Sequence, residues 1–182
     1  AERLLLSGDV ENAQIGDSMQ LPGSTFRIES KNDISKVEIN TSSNRVFNDA
    51  KLSGVVQTYY DGVGVKFDPS TFVLNGKTFT IEKDGELTFR SNTVAQGELV
   101  LTESNQRIQL STEPTEDGGN WNDLKVRLTN VNIGDFSNYF LKGFRLEGLV
   151  DGVIKIEDPN NRFNVRTEDL KARQVWFDKD SV

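Results

Sequence analysis

Lys66 to Leu110 reads KFDPSTFVLNGKTFTIEKDGELTFRSNTVAQGELVLTESNQRIQL, and the reading of this stretch decides the fold. Phe72 and Leu74, Phe79 and Ile81, Leu87 and Phe89, Leu99 and Leu101, and Ile108 and Leu110 are apolar residues two apart, with mostly polar residues between them. Successive side chains of an extended backbone point to opposite faces, so this period predicts strands with one greasy and one wet face. Asn75-Gly76 and Asp84-Gly85 accept positive φ, which predicts tight hairpin turns and a meander in sequence order. The product is one apolar wall. Its function depends on what covers it, a second sheet or something that is not protein.

The same grammar extends in both directions. Ala1 to Asn12 reads as a strand in mid-course, and Phe26 and Ile28, Val37 and Ile39, and Val46 continue the alternation between turns at Pro22-Gly23 and Lys31-Asn32-Asp33. Ala50 to Phe67 predicts a hairpin turning at Asp61-Gly62. Residues 111–122, STEPTEDGGNWN, form the longest polar interruption and are expected to be a surface loop. Beyond it come Leu124, Val126 and Leu128, then Val131 and Ile133. A short helix is expected near 135–142: Asp135 is a suitable cap, Phe136, Tyr139, Phe140 and Leu141 fall at i, i+3, i+4 and i+5, and Gly143 stops the turn. Phe144, Leu146, Gly148 and Val150 then predict a strand that turns near Asp151-Gly152 and runs on through Ile154 and Ile156. Asp158-Pro159-Asn160-Asn161 is a further turn, and a last strand is expected near Val175 to Phe177. Both termini read as cut, so residues 1–182 are expected to be a single fragment of a longer repetitive domain.

Composition narrows the function. The chain has 182 residues, a net charge of -7, no Cys and no His, and only 35% of its residues are hydrophobic. That is little for a compact core and enough for a thin or open apolar layer. The acidic balance argues against nucleic acid, which demands clustered Lys and Arg. No apolar run of about twenty residues and no signal-peptide pattern occurs, so the fragment itself is expected to be neither transmembrane nor a leader.

Catalytic chemistry finds little footing. Without His and Cys, a Ser-His-Asp triad, a Cys-His dyad and the usual zinc sites are ruled out. Paired carboxylates could serve a glycosidase, but 28 acidic residues make any single pair arbitrary. The acidic run Glu113 to Gly119 lacks the alternating spacing of a calcium loop. Asn40-Thr41-Ser42 is a sequon by pattern alone, and phosphate-binding glycine motifs are missing from the sequence. Trp121, Trp176, Tyr59 and Tyr60 could stack on sugars, although packing at sheet edges is the simpler reading. No enzyme, metal or cofactor is expected.

Asp61-Gly62-Val63-Gly64-Val65, Asp68 to Lys77 (DPSTFVLNGK), Gln106 to Leu110, Leu128 to Phe136 and Phe144 to Gly152 together resemble the C-terminal portion of TamB-like translocation and assembly module proteins, particularly the Bacteroidetes branch. The resemblance covers most of the chain and is weakest before Ala50. It implies an envelope protein anchored in the inner membrane, crossing the periplasm toward an Omp85-class outer-membrane partner. It also implies an all-β fold in which an elongated antiparallel sheet curls lengthwise, taco-like, into an apolar-lined groove for phospholipid acyl chains, with a role in outer-membrane biogenesis. The anchor and the partner-binding region of that family have no counterpart in this sequence.

The expected groove lining is therefore Phe72, Leu74, Phe79, Ile81, Leu87, Phe89, Leu99, Leu101, Ile108, Leu110, Leu124, Val126 and Leu128. The competing expectation is a closed β-sandwich that binds glycans or protein. The two differ in whether a second sheet fills the apolar face.

Overall fold

The computed structural model describes residues 3–11, 13–15, 19–21, 23–41, 47–82, 85–90, 93–114, 122–136, 144–157 and 164–179. The chain is all-β. Its strands are β1 (Arg3–Val10), β2 (Ala13–Ile15), β3 (Met19–Leu21), β4 (Ser24–Lys31), β5 (Ile34–Thr41), β6 (Phe47–Tyr59), β7 (Gly62–Phe67), β8 (Ser70–Leu74), β9 (Lys77–Ile81), β10 (Glu86–Arg90), β11 (Thr93–Glu103), β12 (Gln106–Pro114), β13 (Asn122–Asn132), β14 (Phe144–Glu157) and β15 (Asn164–Lys179). Thirteen of them form one antiparallel sheet in the order β1-β4-β5-β6-β7-β10-β11-β12-β13-β14-β15, with β8 beside β6 and β9 beside β11. The other sheet among the described residues is the β2-β3 hairpin.

Eleven lanes describe this sheet better than thirteen strands, because β7 with β8 and β10 with β9 each fill a single lane end to end. β6 pairs with β7 through Gly54 and Phe67, and then with β8 through Lys51 and Thr71. Pro69 lies in the break and brings no N–H to the ladder. Ser53 bridges that gap. Its N–H donates to the buried Ser70 hydroxyl at 3.0 Å, its hydroxyl donates to Asp68 Oδ2 at 2.9 Å, and its carbonyl accepts from Asp68 N at 2.9 Å. On the partner lane, Glu82 N donates to Val100 O and Phe67 N to Gly85 O, so pairing persists across the interruption.

Four expectations are thereby corrected. The hairpin expected about Asp84-Gly85 does not form, since β9 pairs with β8 and β11 while β10 pairs with β7 and β11; Asp84 itself lies outside the described residues. Asp151-Gly152 lies inside β14, whereas the last strand expected near Val175 to Phe177 is present, as part of a β15 of 16 residues. Ser111 to Pro114, expected in a loop, continue β12 and pair with Asn122 to Lys125, so the loop 111–122 is a strand at both ends and its remainder lies outside the described residues. Finally, Asp135 does not cap the helical turn that begins at Gly134. Asn132 Oδ1 accepts from Gly134 N at 2.9 Å, while the Asp135 carboxylate reaches across to Lys77 and Gln106. The rest of the expected helix, Pro22, Val46 and the turn at residues 158–161 lie outside the described residues. Asn75-Gly76 behaves as expected, with φ of 50° and 76° in a two-residue turn between β8 and β9.

β14 stays in register by bulging. Asn130 in β13 and Asp169 and Gln174 in β15 carry positive φ where an extra residue is inserted opposite β14. Across from the β15 bulges, Gly148 and Gly152 have φ of 149° and 143°. A Cβ on Gly152 would lie 2.7 Å from Leu170 Cα and 3.0 Å from Asp169 O. Both backbone shape and space demand glycine there. Gly152→Ala is therefore expected to cost about 1–3 kcal/mol, read as a lowered urea midpoint, whereas Gly76→Ala, which meets no atom within 4 Å, costs only what its φ imposes.

Candidate functional site

Cross-strand register determines which side chains share a face, and it sorts most of this sheet. Leu6, Ile28, Val37, Gly54 and Phe67 are successive partners across the first lanes, and Val56, Val65, Leu87 and Gly97 follow. Leu99, Leu110, Val126, Ile154 and Thr167 form one row across β11 to β15, and Leu101, Ile108, Leu128 and Gly152 form the next. Ile81 joins directly to Leu101, with Phe79 and Phe72 paired one step along. One apolar face thus runs through all eleven lanes. The intervening positions give the opposite character: Glu29, Lys36, Val55, Lys66, Glu86, Glu98 and Ser111 are successive partners, as are Lys125, Lys155 and Arg166.

All 13 expected lining residues fall on the apolar face, but they meet two environments. Leu74, Phe79 and Ile81 are buried, Phe79 at 1% exposure. Phe72, Leu87, Leu99, Leu101, Ile108, Leu110, Leu124, Val126 and Leu128 are half-buried, and Phe89 is 47% exposed. Among the described residues the buried apolar side chains are Ala50, Leu74, Phe79, Ile81, Val100, Val131, Val150 and Val153, and of these Val100 and Val153 lie in register with Gln109 and Arg127 on the opposite face. Most of the apolar face is not sealed by protein.

The buried patch has an identifiable cover. The turn starting at Gly134 folds from the end of β13 onto the apolar face at the Asn75-Gly76 end of the sheet. Phe136 meets Phe79 edge-on at 5.7 Å, and Phe79 stacks on Phe72 at 5.5 Å. Polar contacts fix the turn: Asp135 Oδ2 accepts from Lys77 Nζ at 2.7 Å and from Gln106 Nε2 at 2.9 Å, and its carbonyl accepts from Asn75 Nδ2 at 3.1 Å. Gln106, itself buried, accepts from Asn132 N at 2.7 Å.

Sequence reasoning missed two parts of this site. The face extends well beyond the expected lining, across β4 to β7 and out to Leu170, Val175 and Phe177 on β15; the alternation that signals this was visible in β4 and β5. The crossing of Asp135 and Phe136 to residues some sixty positions earlier left no local signal. The candidate sugar platforms are not brought together, for Tyr59 and Tyr60 sit at the β6-β7 turn under and beside Arg90 while Trp176 lies on the far edge strand. Trp121 lies outside the described residues.

Among the described residues charge lies mainly on the polar face and beside the turns, where Lys77 and Glu103 take apolar-face positions at the ends of β9 and β11. Lys155, 3% exposed, lies 3.2 Å from Glu113 and 3.5 Å from Asp123. Arg173 donates to Asp151 Oδ2 at 2.7 Å, and the Asn130 amide donates to Asp151 Oδ1 at 2.8 Å. Among the described residues no three acids gather as metal ligands, and Glu113, which opens the acidic run, is engaged by Lys125 and Lys155. No described helix is long and apolar enough to cross a membrane. In comparisons with known proteins the chain matches no family model, no curated protein and no solved structure.

The hydrogen bond from Lys125, reinforced by Lys155, holds the Glu113 carboxyl below the ordinary glutamate range. A depressed folded-state value means the stabilisation is fully present above the unfolded pKa and fades as pH falls through the folded one. In urea titrations from about pH 6 to about pH 3, Glu113→Gln is expected to lower the midpoint at the upper end and to flatten the acid-side decline.

Proposed function

We propose that this chain is a periplasmic segment of an envelope-spanning protein that carries phospholipid acyl chains along its apolar sheet face, in the manner of TamB-like proteins. The observation that carries this reading is the apolar face that reaches across eleven lanes, half-exposed outside the patch under Phe136 and backed by a charged face. Isolated exposed apolar residues are ordinary, but a contiguous surface of this extent marks a site where something apolar binds. An acyl chain suits it. Each methylene taken from water gains about 0.8 kcal/mol, and that gain needs shape continuity and no specific polar partner. Leu, Ile, Val and Phe are interchangeable for this purpose, as the mixed lining suggests.

In this reading the sheet curls lengthwise so that the apolar face turns inward as a trough, with the bulges along β13 to β15 supplying local bending. The quoted sequence segments support the same assignment, and with it a place in outer-membrane biogenesis. Attachment to the inner membrane and to an Omp85-class protein is part of the proposal for the whole protein, and none of these residues is assigned to it. A closed sandwich that binds glycans or protein is less well supported, because thirteen of the strands belong to one sheet whose outermost lanes, β1 and β15, are not paired with each other.

Register supplies the control for a direct test. Leu99 and Ile108 lie on the apolar face, and Thr102 and Gln109 lie on the polar one. Photo-crosslinking of a diazirine-bearing phospholipid to the purified chain is expected to fall by about tenfold or more in Leu99→Arg and Ile108→Arg, because a guanidinium on the face must give up its hydration or block the path. Thr102→Arg and Gln109→Arg retain capture. Equal losses in both pairs, at matched folding by circular dichroism, overturn the assignment.

A further inference from the structure

We infer that Phe136 is an internal stop that sets how long an acyl chain the apolar face accepts, an inference that rests on the acyl-chain reading above. Over Phe79 the cover is this ring: Phe79 is buried beneath it, while Phe136 itself is only half-buried. The covered patch meets the open part of the face at a defined seam, since Ile81 is buried and its direct partner Leu101 is not. A chain lying on the face from Leu101 toward Phe79 would thus run into Phe136, which already occupies the apolar position that further methylenes would take.

The ring is held there by contacts that do not depend on its own packing. Asp135 is buried, and it is tied to Lys77, Gln106 and Asn75 on the two turns flanking the patch. The stop is therefore anchored in the sheet rather than free to swing with a ligand. Removing the ring lengthens the available path, and enlarging it shortens the path, while the anchor persists in both cases.

The test is displacement of a fluorescent fatty acid from the purified chain by saturated fatty acids from octanoic to stearic acid. In the native protein, each methylene that reaches the face is expected to tighten binding by about fourfold, up to a length beyond which affinity no longer rises. Phe136→Ala moves that limit to longer chains and Phe136→Trp moves it to shorter ones. Opposite shifts in the two variants cannot come from lost stability, and Phe136→Leu, with a smaller outward shift, replaces the alanine variant should that one fail to fold. An unchanged limit in all variants that bind overturns the role of Phe136 and leaves the acyl-chain reading standing. Absence of saturable binding in the native protein overturns both.

Discussion

The whole sheet depends on register. Side chains alternate with a period of two, so a slip of one residue in any lane would send that lane's apolar residues to the charged face. Here Leu99, Leu110, Val126 and Ile154 line up across four lanes, and Leu101, Ile108 and Leu128 line up beside them. Ion pairs on the reverse face reinforce the alignment, with Glu113 set against Lys125 and Lys155, and Asp151 against Arg173. Each pair contributes modestly to stability. Their larger effect is on specificity, because a slipped lane would part these ion pairs and strand leucines on the charged face.

Irregularities are placed where they preserve this alignment. Each bulge along β14 adds an odd residue to a neighbouring lane, and the inserted Asn130, Asp169 or Gln174 absorbs it in a positive-φ conformation. The apolar set therefore returns to the same face on both sides of the defect: Val131 and Val150 beyond one bulge, Ala172 beyond another. The interruption at Asp68-Pro69 works differently, by substituting the Ser70 hydroxyl and the Asp68 carboxylate for missing ladder partners. In both cases a local break in pairing leaves the face continuous.

The sequence was legible wherever the message was periodic. The strands, their alternation, the Asn75-Gly76 turn and the shared face of all thirteen lining candidates could be read from spacing alone. Punctuation was less legible. Asp84-Gly85 and Asp151-Gly152 have the same local chemistry as a hairpin turn, but the strands flanking the first share one lane and the second lies in a bulged strand. What distinguishes them is the partner across the ladder, which local sequence does not encode. Polar composition misled in a similar way at Ser111 to Pro114, where the wet face of a paired strand resembles a loop. The least legible element was the reach of Asp135 and Phe136, a long-range contact that only the assembled sheet creates.

The two outermost lanes carry a different consequence. Leu4 on β1 is 61% exposed and Phe177 on β15 is 60% exposed, and both belong to the apolar face at its boundaries. Because each lane is held by its immediate neighbours, cohesion in such a sheet approximates a sum of nearest-neighbour couplings, as in a linear array. Outer lanes have one neighbour and inner lanes have two, so local opening is graded, easiest at β1 and β15 and hardest around Phe79. Such an architecture has no intrinsic width. Evolution could add or delete lanes in pairs without redesigning a core, altering the span of the molecule while leaving its surface chemistry the same.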